Sequence, residues 1–415
     1  MPQSAYRPTL RPVETIVVPD ADHGRVLVLR DTQGVTSAHA CIPPMLIPIV
    51  ARFTGELTCA EIAREASGEL GQAVTTDLVE HVARELEKAL FLDGPSYRKA
   101  LDDVKKTFHD AALRPASHAG AAYAGNPEEL TRYLDDKCLA HGAAPGTRSA
   151  TRLTGLIAPH IDPWRGATGY GHAYAALRDG LSPEADTFIL FGTSHAPMTE
   201  PFALCRKGFD TPLGPMPADL DAIDRIASKC SYDPYTDELN HKREHSIEFQ
   251  AVFLRHVLGH DRARPPRIVP ILAGLGRQQA HGTDPAKDPK AMALIDAVRT
   301  LALELGPRVV VIAGADLAHV GPRFGDPLAL GPELREELQK TDAASLDLSA
   351  QGDAAGFWKQ VTGDLETRRV CGLSPIYAML QTLPTASRGN VLHYEQTIDS
   401  DDGSIVSHAA VAFHA

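Results

Sequence analysis

The chain predicts an α/β fold, a mixed and mostly buried sheet flanked by helices, preceded by a small helical or winged-helix-like domain. Three observations carry this. Beyond Leu153, strand-like runs alternate with helix-length segments; the runs TGLIAP, TFILFG, RIVPIL and RVVVIAG are apolar with little alternation; and only NVLHYEQT and SIVSHAAVAFH alternate. Unbroken apolar runs mark strands covered on both faces, whereas the alternating pair is expected to join antiparallel. The intervening helices are expected at TGYGHAYAALRDG, DLDAIDRIASKC, SIEFQAVFLRHVLG and KAMALIDAVRTLALEL.

Ahead of this region, residues 14–19 and 25–30 are short β-type runs separated by DADHG, whose Asp and Gly suit a hairpin turn. Three helices are expected next: PMLIPIVARF from Pro44, a segment capped by Thr58 with Glu61 at capping-box spacing, and TTDLVEHVARELEKALFLD from Thr75. In the last, Leu78, Val82, Leu86 and Leu90 are expected to form an apolar stripe. A polar helical stretch leads to RPASHAGAAYAGNPEEL, whose start has linker composition. The expected domains are therefore 1–112 and 113–415. HGAAPGTRSA and AHGTDPAKDPK read as a flexible break and a surface loop.

Composition narrows the function. The 415 residues include 43% hydrophobic and 23% charged, with no apolar run near the ~20 residues of a membrane span and no signal-like N-terminus. A soluble, cytoplasmic protein with no membrane partner is the expectation. A formal net charge of −12 without a basic stripe argues against nucleic acid. The six cysteines are scattered without CxxC spacing, which argues against a disulfide framework and a zinc knuckle. The unusual feature is eighteen histidines, several placed where strands end.

TGLIAP runs into His160 and Asp162, TFILFG into Ser194 and His195, and RVVVIAG into Asp316 and His319. Ligands of open α/β sheets bind beyond the strand carboxyl ends, so these groups are expected to share one cleft. Imidazoles with a carboxylate or thiolate suit iron, copper or zinc. The segment NHKREHSIEFQ sets His241 and His245 four apart, and likewise Glu244 and Glu248, spacings that can put each pair on one helix face. It is not the HExxH zinc-protease pattern; Glu244 or His245 could orient a ligand or shuttle a proton, or serve only as a helix start. Cys371, in RRVCGLSPIYAML, stands before a helix, where the helix dipole with Arg368 and Arg369 could favour its thiolate.

These residues together resemble the Memo-like family. SHAGAAYAGNPEEL, GLIAPHID, FGTSHAP, REHSIEFQAVFL, ADLAHVG, CGLSPI, YEQT and SIVSHAAVAF follow in the family's order from about Pro115 to His414. The family includes component B of a three-part system with a radical SAM protein, and its fold and site resemble class III extradiol dioxygenases. The resemblance implies His160, His195 and Cys371 as metal ligands, with Asp316 and His319 beside them. PHIDPWRG, Ala196, Pro197, Leu373 and SHAAV depart from the usual family pattern, which bears on substrate rather than on ligands. Residues 14–95 also resemble small PqqD-like winged-helix peptide-binding modules.

The expected function is a metal-binding protein, Fe(II) foremost with copper or zinc as alternatives, having a dioxygenase-like oxidoreductase site. Glu244, His245, Asp316 and His319 are its expected catalytic groups. The competing expectations are a non-catalytic component that binds a peptide or a radical SAM partner, and hydrolysis or acyl transfer by Cys371 with a histidine base.

Overall fold

The computed structural model describes residues 6–20, 22, 24–31, 33–142, 151–276 and 283–415. The chain divides into two compact units, Met1–Ala111 and Ala112–Ala415. In the first, β1 (Glu14–Asp20), β2 (Gly24–Arg30) and β3 (Ala40–Ile42) form an antiparallel sheet, with Glu14 opposite Arg30. Helices Cys59–Leu70, Thr76–Lys88 and Pro95–Asp110 follow. The Thr58 hydroxyl accepts from the Glu61 N–H, and the Glu61 carboxylate accepts from the Thr58 N–H, completing the capping box.

Two expectations for this unit change. PMLIPIVARF yields only a 3-10 turn, Pro44–Leu46, and a single α-turn, Ile47–Val50, because its prolines remove the donors a longer helix needs. On helix Thr76–Lys88 the buried stripe is Val79, Val82, Ala83 and Leu86, whereas Leu78 is exposed. A strict four-residue spacing drifts off a 3.6-residue helix face, so the 3/4 alternation wins. Leu90 lies beyond the helix at positive φ.

The second unit opens with β4 (Leu113–Arg114), paired in parallel with β8 (Gly208–Phe209). Its main sheet contains β5 (Leu153–Ala158), β6 (Thr187–Thr193), β7 (Phe202–Leu204), β9 (Arg267–Ala273), β10 (Val309–Gly314), β11 (Asp316–Val320), β12 (Arg388–Ile398) and β13 (Ile405–His414). The order is β11-β13-β5-β10-β6-β9-β7, with β12 on the free edge of β13. β5, β10, β6 and β9 are parallel; β7, β11, β12 and β13 join antiparallel.

Both sheet faces are buried. Ile189, Phe191, Val311 and Ala313 pack beneath helices Pro289–Leu305, Ala354–Thr362 and Leu373–Thr382. Phe188, Leu190, Val310 and Ile312 pack beneath Ala167–Gly180 and His245–Leu258. Successive residues of one strand thus enter opposite cores, which is why the sequence shows no polar alternation. No helix among the described residues is long and apolar enough to cross a membrane.

The passage after Arg114 is not a loose linker. Glu248 and Arg114 are an ion pair with both side chains wholly buried. The same carboxylate accepts from the N–H groups of Ser117 and His118, the His118 ring and the Tyr123 hydroxyl. Arg114 also donates to the carbonyls of His241 and Glu244. Of the two expected loops, residues 143–150 and 277–282 lie outside the described residues, and Pro285–Lys287 forms a 3-10 turn.

Removing one partner of such a pair strands the other charge in the core. Arg114→Ala is expected to lower unfolding stability by about 3–5 kcal/mol in denaturant titration, against a negligible change for Lys340→Ala, whose pair with Glu336 is exposed. Equal midpoints for the two variants would contradict the role given to Glu248.

Candidate metal centre

Register brings the site together. Ala158, Gly314 and Gly192 lie side by side at the carboxyl ends of β5, β10 and β6. The chain then turns into His160 after β5, Asp316 after β10 and His195 after β6. The His160 N–H donates to Asp316 Oδ1 at 2.8 Å, joining two of these turns directly. A Cβ on Gly314 would fall 2.4 Å from the Ser246 carbonyl oxygen, and one on Gly192 would fall 2.5 Å from Ile247 Cγ1. The two glycines let the N-terminus of helix His245–Leu258 approach the strand ends.

Glu244 caps that helix by accepting from the Ser246 N–H at 3.0 Å. It also accepts from the His195 N–H at 2.9 Å and faces His195 Nδ1 at 3.0 Å and His245 Nδ1 at 3.3 Å. His160 Nδ1 faces the Gly314 carbonyl at 2.9 Å. An oxygen that only accepts fixes the facing nitrogen as N–H, which leaves Nε2 as the atom of each ring able to take an ion once it gives up any proton. Among the described residues, His160, His195 and His245 are a group whose ligand atoms all lie within 4.8 Å of one another. The rings of His195 and His245 stack at 4.6 Å, and each lies edge-on to His160.

Cys371 completes the cluster, its Sγ 3.2 Å from His160 Nε2. Gly372 caps helix Leu373–Thr382 and donates its N–H to the Asp316 carbonyl. A Cβ there would meet that oxygen at 2.2 Å, so glycine is required to seat the cysteine. The Thr193 hydroxyl, at the end of β6, donates to the Cys371 carbonyl.

Burial pushes the thiol up, but His160 and His319 outweigh it and bring Cys371 down to about 5. Burial alone would lower His160; the charges of Cys371 and Asp316 instead raise it to about 9. His195 is likewise raised, burial being overcome by Glu244 and Cys371. Burial drives His245 down to about 3, against the pull of Glu244 and with the help of its neighbouring imidazoles. The site therefore pairs a thiolate with imidazolium groups, and a cation entering it would displace those ring protons.

The remaining expected groups are placed as follows. Asp316 is buried, its Oδ2 3.7 Å from His160 Nε2. His319, on β11, packs edge-on against Phe324 and lies on the Cys371 side. His241 and His245 do not share a helix face: His241 sits in the preceding 3-10 turn, buried, with Nε2 at the Ala203 carbonyl. Arg368 and Arg369 have their ion pairs elsewhere than at Cys371. Arg368 is buried against Asp342 and Asp364, and Arg369 pairs with Asp326. Asp162 and Arg165 pair with each other in the turn before helix Ala167–Gly180. Sequence reading missed His118, whose ring lies edge-on to His245 at 5.7 Å; nothing local marks it, because its position depends on the distant Glu248.

A cleft of about 580 Å³ opens beside the cluster, lined by Ser194, His195, Met198, Lys290, Cys371 and Ser374. Lys290 reaches it paired with Glu200.

Fold and site thus define an α/β protein with a metal-capable histidine cluster at the carboxyl edge of a mixed sheet. The chain belongs to the Memo-like protein family, whose profile matches residues 114–412. A MEMO1 family protein of Aquifex aeolicus is 25% identical over 94% of this chain and 97% of its own, so the similarity continues into the N-terminal unit. One from Methanosarcina acetivorans is 30% identical over 62% of this chain and 84% of its own. Among solved structures, the uncharacterized protein JW3007 of Escherichia coli K12 is 15% identical with a TM-score of 0.37, covering 63% of this chain and 99% of that one.

Glu244→Gln retains a capping oxygen but loses the charge that orients both imidazoles. Metal affinity, measured by competition with a chelator, is expected to fall about 10–100-fold. An unchanged affinity would contradict the orienting role.

Proposed function

We propose that this protein binds one transition-metal ion through His160, His195 and Cys371, with His245 as a fourth donor at the same point, and that the centre serves an oxidoreductase reaction. The observation that carries the proposal is the grouping of ligand atoms from His160, His195 and His245 within 4.8 Å of one another, with the Cys371 sulfur 3.2 Å from His160 Nε2. Imidazole with thiolate suits iron, copper and zinc. Fe(II) is the ion proposed first, by the family's resemblance to class III extradiol dioxygenases. A bound Fe(II) or copper would supply one-electron redox chemistry, with a coordination position left for a substrate.

The protein's own groups have distinct tasks. Glu244 holds His195, and Asp316 and the Gly314 carbonyl hold His160, so two ligand rings are fixed before any ion arrives. His245 is neutral at ordinary pH and available either to donate its lone pair or to accept a proton from a bound molecule. His319, near enough to Cys371 to act on its charge, is the second proton-transfer group proposed. The cleft admits a small molecule beside His195 and Cys371.

A second reading rests on the first unit, Met1–Ala111, which has its own hydrophobic core around Ile49, Phe53, Ile62, Val79 and Phe91. In that reading the unit recruits a peptide, or a radical SAM partner, and the cleft does no chemistry.

Metal analysis after anaerobic reconstitution separates the two. The protein is expected to lose one equivalent of iron in His160→Ala and in Cys371→Ala. Unchanged metal content in both variants would remove the metal-centre reading and leave the recruitment reading standing.

A further inference from the structure

The cleft beside the metal centre reaches a helix start whose donors are unused. Helix Leu373–Thr382 begins directly after Cys371 and Gly372 and has no side-chain cap. The first N–H groups of a helix have no partners within it and must find acceptors elsewhere. Here the Gly372 N–H finds the Asp316 carbonyl, and Pro375, at the third helical position, has no N–H to satisfy. The N–H groups of Leu373 and Ser374 make no hydrogen bond among the described residues, although both residues are buried.

The Ser374 side chain adds a third donor. The residue is only 5% exposed, and its hydroxyl has no hydrogen-bond partner among the described residues, yet it is not sealed in the core, because Ser374 lines the cleft. A buried helical serine ordinarily turns its hydroxyl to a carbonyl one turn back, as Ser345 and Ser349 do. The carboxylates of the same cleft are already engaged: Glu200 with Lys290, and Asp288 as the cap of helix Pro289–Leu305. Lys290 gives Glu200 two N–H bonds and keeps a third donor. Ala196, Met198 and Ala273 make much of the remaining wall apolar.

We propose that the substrate of this cleft is a small carboxylic acid, its carboxylate seated on the Leu373 and Ser374 N–H groups and the Ser374 hydroxyl, its apolar body along Met198 and Ala273. A carboxylate supplies acceptors for all three donors and the negative charge that a helix start favours, whereas an amine offers only further donors. Ser374 follows Cys371 by three residues, so an acid held there lies next to the sulfur. Only the choice of this cleft as the substrate's rests on the metal-centre reading; the carboxylate seat uses none of the metal ligands.

The test is isothermal titration calorimetry of the full chain with acetate, butyrate and hexanoate, on protein as purified and after EDTA treatment. Wild type is expected to bind hexanoate in both forms, the shorter acids more weakly in order of length, and 1-hexanol at least about tenfold more weakly than hexanoate. Ser374→Ala removes a hydroxyl that bonds to nothing in the protein, so it is expected to melt at or above the wild-type temperature while weakening hexanoate binding at least about tenfold. Failure of wild type to bind hexanoate, or equal affinity in wild type and Ser374→Ala, would overturn the proposal. So would binding confined to the metal-containing form, which would put the carboxylate on the ion. Iron content is read on the same samples after anaerobic reconstitution: no iron uptake with hexanoate binding intact would remove the metal-centre reading and leave the carboxylate seat standing.

Discussion

The Glu244 carboxylate is shared by three structures that could not otherwise be held in register: the helix it caps, the backbone of the turn after β6, and the imidazoles of His195 and His245. A buried carboxylate is costly unless its lone pairs are filled, and here each filling bond also fixes a group of the site. One turn along the helix, Glu248 does the same for the segment Arg114–Tyr123. Two acidic residues on one helix thus bind the sheet edge on one side and the entry segment on the other.

Around this constraint the parallel strands act as rulers. β5, β10 and β6 end level, so residues two or three positions beyond their last paired neighbours necessarily meet. Gly192, Gly314 and Gly372 admit two helix N-termini and their preceding turns into the space a side chain would fill. His245 and Cys371 arrive at the strand-end cluster by this route, from opposite faces of the sheet. Their opposite protonation behaviour follows from position: Cys371 faces imidazolium groups, whereas His245 stands among them.

How much of this could be read beforehand depends on the range of the interaction. The unbroken apolar strands, the antiparallel C-terminal pair and the strand-end positions of His160, His195 and Asp316 follow from local pattern. Pattern alone left the further donor open, and Cys371 was selected by resemblance to a family. Arg114 and His118 looked like linker residues because their partner, Glu248, lies more than a hundred residues away. The four-residue spacing of His241 and His245 misled for a simpler reason: the helix begins at His245, so no common face exists.

The central claim is that strand-end imidazoles and the Cys371 sulfur meet at one ion. X-ray absorption at the iron edge of the anaerobically loaded protein tests it most directly. The account predicts one sulfur scatterer together with the multiple-scattering pattern of imidazole, the sulfur contribution vanishing in Cys371→Ser. A first shell of oxygen and nitrogen alone, identical in wild type and variant, would contradict it.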